Sequence, residues 1–236
     1  MKPVTVTEER LYGLPEPVKR YMKYTGVIDK PWIENVWLKQ AGKFRQGEDK
    51  PWMAMNAEQR YTTNPAGFIW NAAFKMAGVP LLRALDRYEE GKGRMTGKLA
   101  GLIKLFDVNG DKLDQGAMLR YLSEMIWFPI AFLGENIAWE GRDDHSAQVV
   151  FTDHGRSVQG SMFFDEDGRF TNFKAQRYRM IGDEFSLDWW STPVVEYGTL
   201  AGLNLPVKGQ AVWNLSTGDF PYIDLEIVEI EYNRST

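Results

Sequence analysis

The chain has 236 residues, enough to bury a core without covalent or metal staples, and its length fits one domain spanning 1–236. It has no cysteine, which excludes disulfides, thiolate nucleophiles and cysteine metal sites and fits a reducing compartment. A net charge of −4, with both signs interspersed, gives no basic footprint, so no nucleic-acid partner is expected.

The opening stretch Met1 to Arg10 has acidic residues early and no apolar segment of signal-peptide length, so a cytoplasmic protein is expected. From Glu8 to Tyr24 the chain is broken by Gly13, Pro15 and Pro17. Val18, Tyr21 and Met22 then recur at helical spacing, which predicts a short amphipathic helix ending at Gly26. Its Lys19, Arg20 and Lys23 read as a solvated face.

From Trp32 onward the period changes to two. Phe68, Trp70, Ala72, Phe74 and Met76 share one face of a predicted strand. The alternation recurs in Val158 to Phe164, in Phe185-Leu187-Trp189 and in Val207 to Leu215, and Asp165 to Gly168 has the chemistry of a hairpin turn. In the last strand Ile223, Leu225 and Ile227 share one face but Val228, Ile230 and Tyr232 the other. A β-bulge or burial on both faces is expected there.

Asp114 to Leu133 is the exception to the β pattern: Asp114 can cap, and Met118, Leu122, Met125 and Ile126 form a helical stripe. Its apolar end, Met125 to Leu133, is about half the ~20 residues of a membrane span and contains Pro129, so it reads as a buried or docking segment. The fold class is therefore mainly β, a curved antiparallel sheet or half-barrel wrapping an inserted helix, with a short N-terminal helix.

No familiar reaction motif is present. His145 and His154 lack metal-site spacing, and Asp107 to Asp111 departs from a calcium loop in its glycine and in Met118, where a glutamate belongs. Gly155 to Gly160 is too long for a nucleophile elbow, and Gly91-Lys92-Gly93 makes no phosphate cradle. No metal and no cofactor are expected.

One constellation stands out. Arg120 and Glu124 lie four apart on the inserted helix, where an ion pair can form, but their side continues into Trp127 and Phe128 with Tyr121 beside it. A charged stripe that runs into large rings fits solvent exposure poorly. A structural pair, a pocket wall and an oligomer contact are the alternatives. In Leu85 to Glu90, Arg87 and Glu89 share one face and Asp86 and Tyr88 the other, which fits either a polar cavity or an edge strand with solvated charges.

Three phrases carry a resemblance: Leu14-Pro15-Glu16-Pro17-Val18-Lys19-Arg20-Tyr21, then Asp114-Gln115-Gly116 through Arg120-Tyr121-Leu122-Ser123-Glu124-Met125-Ile126-Trp127-Phe128-Pro129, and Gly218-Asp219-Phe220-Pro221-Tyr222 through Glu229 to Asn233. Together they resemble an uncharacterised bacterial domain family, over almost the whole chain. The order of helix, strands, inserted helix and strands is also similar to lipoprotein-carrier half-barrels, which implies a sheet wrapped over an apolar cavity.

The leading expectation is a site for a small apolar or aromatic molecule, lined by Trp70, Phe74, Arg87, Tyr88, Trp127 and Phe128, with Arg120 and Glu124 as polar groups. The alternative is a cofactor-independent lyase, isomerase or hydrolase with Glu124 as general acid or base and Arg120 or Tyr121 steadying an oxyanion. An aromatic oligomer contact is a third.

Overall fold

The protein is described by a computed structural model covering residues 4–182 and 184–234; Met1-Lys2-Pro3, part of the stretch read for an export signal, lies outside the described residues. A 3-10 turn, Glu8–Leu11, precedes helix α1, Glu16–Thr25, which ends on Gly26 at φ 72, as the glycine predicts. Six strands follow: β1 Asn35–Phe44, β2 Met53–Thr63, β3 Ala66–Met76, β4 Val79–Glu89, β5 Lys92–Leu99 and β6 Ile103–Asn109. Helix α2, Asp111–Glu124, separates them from β7 Ile137–Asp143, β8 Ser146–Asp153, β9 Arg156–Phe164, β10 Phe170–Ile181, β11 Glu184–Ser191, β12 Val194–Leu200, β13 Leu203–Leu215 and β14 Gly218–Tyr232.

All these strands join one curved, open antiparallel sheet in the order β6-β5-β4-β3-β2-β1-β14-β13-β11-β10-β9-β8-β7, with β12 paired to β13. The first and last strands thus meet in the middle, and α1 and α2 lie on one face. Among the described residues no helix is long and apolar enough to cross a membrane.

The period-two pattern is obeyed where it was clearest. Phe68, Trp70, Ala72 and Phe74 are buried, while Met76, near the tip of the β3–β4 hairpin, is exposed. The expected irregularity of the last strand is a bulge: the β1–β14 register slips between Lys39 and Gln40 and leaves Val228 unpaired and exposed. β11 departs from expectation, because Leu187 and Trp189 face outward and Trp190 is the buried ring. Strand alternation alone does not say which face meets the core.

The inserted helix also differs in its limits. It begins at Asp111, with Gly110 at the cap position, and regular helix stops at Glu124; Met125–Trp127 and Pro129–Leu133 are separate 3-10 turns. Pro129 has no N–H to continue the helix. Asp114, expected as the cap, is instead a buried clamp. It accepts from the Gly93 N–H at 2.8 Å and Lys92 Nζ at 3.2 Å on β5, and from Arg156 Nη1 at 2.5 Å on β9. Gly93 lets the helix come this close, since a Cβ there would stand 2.8 Å from the Leu113 carbonyl oxygen.

Candidate functional site

The pairing register lays Leu38, Gln59, Trp70, Asp86 and Met95 in a row across β1 to β5. Their side chains point inward, so a glutamine and an aspartate lie in the sheet surface beneath α2. Arg120 comes down from the helix onto them. Its Nε donates to Glu124 Oε1 at 3.0 Å, Nη1 to Asp86 Oδ2 at 2.8 Å and Nη2 to Gln59 Oε1 at 3.1 Å. Glu124 Oε2 accepts from Gln59 Nε2 and Tyr61 Oη, both at 2.9 Å. Gln40 extends the chain: its Oε1 accepts from Trp70 Nε1 at 2.8 Å.

The side chains of Arg120, Asp86 and Glu124 are 14%, 10% and 13% exposed, so this is an interior network. The Arg120 guanidinium also lies 4.7 Å from the Trp70 ring centre and 4.9 Å from that of Phe68. Burial works against its charge, but Glu124 and Asp86 more than offset this and hold it above its already high ordinary pKa. Burial, reinforced by the Glu124 charge, pushes the Tyr61 phenol well above the usual tyrosine range.

Beside the network lies a cavity of about 410 Å³. Trp70, Phe74, Arg120, Glu124 and Trp127 line it. Trp127 is fixed by Nε1 donating to the Pro206 carbonyl at 3.1 Å, and its own carbonyl accepts from Tyr232 Oη at 2.6 Å. The other residues expected at the site lie elsewhere. Tyr88, Tyr121 and Phe128 belong to a closed aromatic cluster, Tyr121 standing 6.4 Å from Tyr88, 5.7 Å from Phe128 and 5.3 Å from Phe151 by ring centres. The Tyr121 hydroxyl donates to the Thr62 carbonyl at 2.9 Å. Arg87 is on the outer face, 3.5 Å from Glu89, because neighbours on a strand point to opposite sides. It cannot share a pocket with Tyr88.

The far wall of the cavity comes from β10, β11, β13 and β14, and sequence reasoning missed it. Arg177 stacks over Trp190 with its guanidinium carbon 4.4 Å from the ring centre; Trp213 stacks on Tyr222 at 5.8 Å; Arg45 lies 5.0 Å from Phe220. Phe220 and Tyr222 fall within the Gly218 to Tyr222 phrase, so the signal lay in a motif used only for kinship. Among the described residues no group of three or more His, Cys, Asp or Glu side chains is arranged to hold a metal ion.

Comparisons with solved structures agree with the half-barrel layout. The chain is similar to a domain from Vibrio parahaemolyticus assigned as an outer membrane lipoprotein-sorting protein (10% identity, 86% of each chain, TM-score 0.50). It is also similar to a DUF1329 family protein from Desulfovibrio piger (9% identity, 95% of each chain, TM-score 0.53). A LolA superfamily protein from Nitrosomonas europaea gives a TM-score of 0.48 at 8% identity over 93% of each chain. The first two likenesses show a shared fold. They also correct the cytoplasmic expectation, since the Vibrio relative is assigned to outer membrane lipoprotein sorting and a lack of cysteine specifies no compartment. No curated protein matches the chain. Residues 4–225 match the family of unknown function DUF6544, and the chain belongs to that family.

Proposed function

We propose that this protein binds a small apolar or aromatic molecule in the cavity between α2 and the sheet. The observation that carries the reading is the cavity itself. Its volume of about 410 Å³ falls within the ~300–1,000 Å³ of small-molecule sites, and its wall combines Trp70, Phe74, Trp127 and Trp190 with a few convergent polar groups. The likeness to a domain assigned to lipoprotein sorting supports a hydrophobic ligand in general terms.

Glu124 as a general acid or base receives no support from its surroundings. Its two oxygens accept from Arg120, Gln59 and Tyr61, which fill three of the about four acceptor positions of a carboxylate and hold it in place. The network reads better as a rigid floor.

Titration with N-phenyl-1-naphthylamine, a neutral dye that brightens on leaving water, tests the proposal. Saturable binding is expected, and it should be lost in Ala84→Phe and Ala211→Phe, which put rings into the cavity from two sides. A signal that never saturates and ignores both substitutions would overturn the reading.

A further inference from the structure

The cations around the cavity are not equally engaged. Arg120 is held by Asp86 and Glu124; Arg179 Nε donates to Asp188 Oδ2 at 2.7 Å; Lys208 Nζ donates to Glu196 Oε2 at 2.6 Å. Arg45 has no carboxylate within ion-pair distance among the described residues, but its Nε donates to the Pro221 carbonyl at 2.8 Å. Arg177 differs from all of these. Asp188, its direct cross-strand neighbour, is taken by Arg179.

Among the described residues Arg177 has no carboxylate partner. Its single hydrogen bond is a long one, from Nη1 to Tyr222 Oη at 3.4 Å, and its Nε is buried without any partner. A second buried polar atom without a partner, Thr192 Oγ1, belongs to the same cavity wall. Those two atoms are sealed from solvent, but Arg177 lines the cavity and its Nη2 makes no hydrogen bond among the described residues, so a ligand in the cavity can supply the acceptor there. Stacking on Trp190 fixes the plane of the guanidinium, which suits the paired oxygens of a carboxylate or sulfate.

We infer that the ligand of this cavity is an amphiphile with an oxyanion head, and that Arg177 receives that head while the aromatic walls take the apolar body. The inference rests on the cavity being a ligand site. It runs against the charge of the chain as a whole: a protein of net charge −4 places an unneutralised arginine in the wall of this cavity.

Displacement of N-phenyl-1-naphthylamine by decanoate, decyl sulfate and decanol, each below its micelle concentration, tests it on the full chain. In the wild type both anions should bind at least tenfold more tightly than the alcohol. A preference for one anion over the other would identify the head as carboxylate or sulfate-like. In Arg177→Met the preference over decanol should fall to within about twofold while decanol itself binds as before. Arg177→Lys, which keeps the charge but not the planar fork, should retain part of it, and Arg45→Met should retain nearly all. The wild-type comparison needs no variant to fold. Equal binding of decanol and the anions overturns the head-group assignment and leaves the cavity reading standing; failure of all three to displace the dye overturns both.

Discussion

Replacing Arg120 by methionine tests whether the polar network is an interior one. The substitution keeps an unbranched apolar stem against Phe68 and Trp70 and removes only the guanidinium. Glu124 would still accept from Gln59 and Tyr61, but Asp86, 10% exposed, would lose its ion-pair partner and be left as an uncompensated interior charge. Breaking a buried pair in this way costs about 3–5 kcal/mol. Urea unfolding followed by tryptophan fluorescence should give that loss at pH 7 with an unchanged dependence on denaturant. Replacing Asp86 by leucine in the same chain should recover most of the loss, since apolar residues often substitute for a buried pair at little cost. A loss below about 1 kcal/mol for Arg120→Met would mean that the pair behaves as an exposed one, and would refute the argument.

Three other outcomes are expected. Gly93→Ala places a methyl 2.8 Å from the Leu113 carbonyl oxygen and 3.0 Å from Ala117 Cβ, so α2 must lift; a loss of about 1–3 kcal/mol should lower the melting temperature, and an unchanged melt would show that the helix is not seated by that glycine. Burial holds the phenols of Tyr21, Tyr61, Tyr88, Tyr121, Tyr197 and Tyr232 above the ordinary tyrosine range; folded values above unfolded ones stabilise below about pH 10 and are lost above it, so phenolate absorbance should rise together with unfolding, not ahead of it. Hydrogen bonds from Arg94 and Lys104 hold the Asp107 carboxyl well below the usual range; that contribution is present above about pH 4 and fades as pH falls, so Asp107→Asn should flatten the acid side of the stability profile.

What could be read in the sequence were features expressed over short spans. The alternation of Phe68 to Phe74 needs only a strand, and the Arg120–Glu124 pair needs only one turn of helix. What could not be read depends on which strands become neighbours. Gln59 is an ordinary polar residue until the β2–β3–β4 register puts it beside Trp70 and Asp86, and Leu85 to Glu90 reads as a possible edge until β5 and β6 cover it. Arg177 is one of three cations with Lys174 and Arg179, and only the pairing of β10 with β11 brings it onto Trp190 while Arg179 takes Asp188. Arg87 and Tyr88 cannot both reach one site, because neighbours on a strand point to opposite faces.

The same polar contacts also account for a cavity persisting under a helix. Apolar walls close on one another where they can, so an open cavity of about 410 Å³ should narrow unless something fixes the distance between helix and sheet. Here α2 is tied by directional bonds: Asp114 to β5 and β9 at its start, Gln115 Nε2 to the Gln176 carbonyl of β10 at 2.8 Å, and Arg120 to β2 and β4 near its end. On the side of β13 and β14 the chain after α2 is anchored through Trp127, whose ring reaches the Pro206 carbonyl while its own carbonyl holds the Tyr232 hydroxyl. Hydrogen bonds are directional and hold their partners to a narrow geometry, whereas apolar contacts slide, so this arrangement sets a height that apolar packing would not. An apolar core in place of the Arg120 network can therefore match its stability and still close the cavity, which is why buried charge here is better understood as a spacer than as a source of stability.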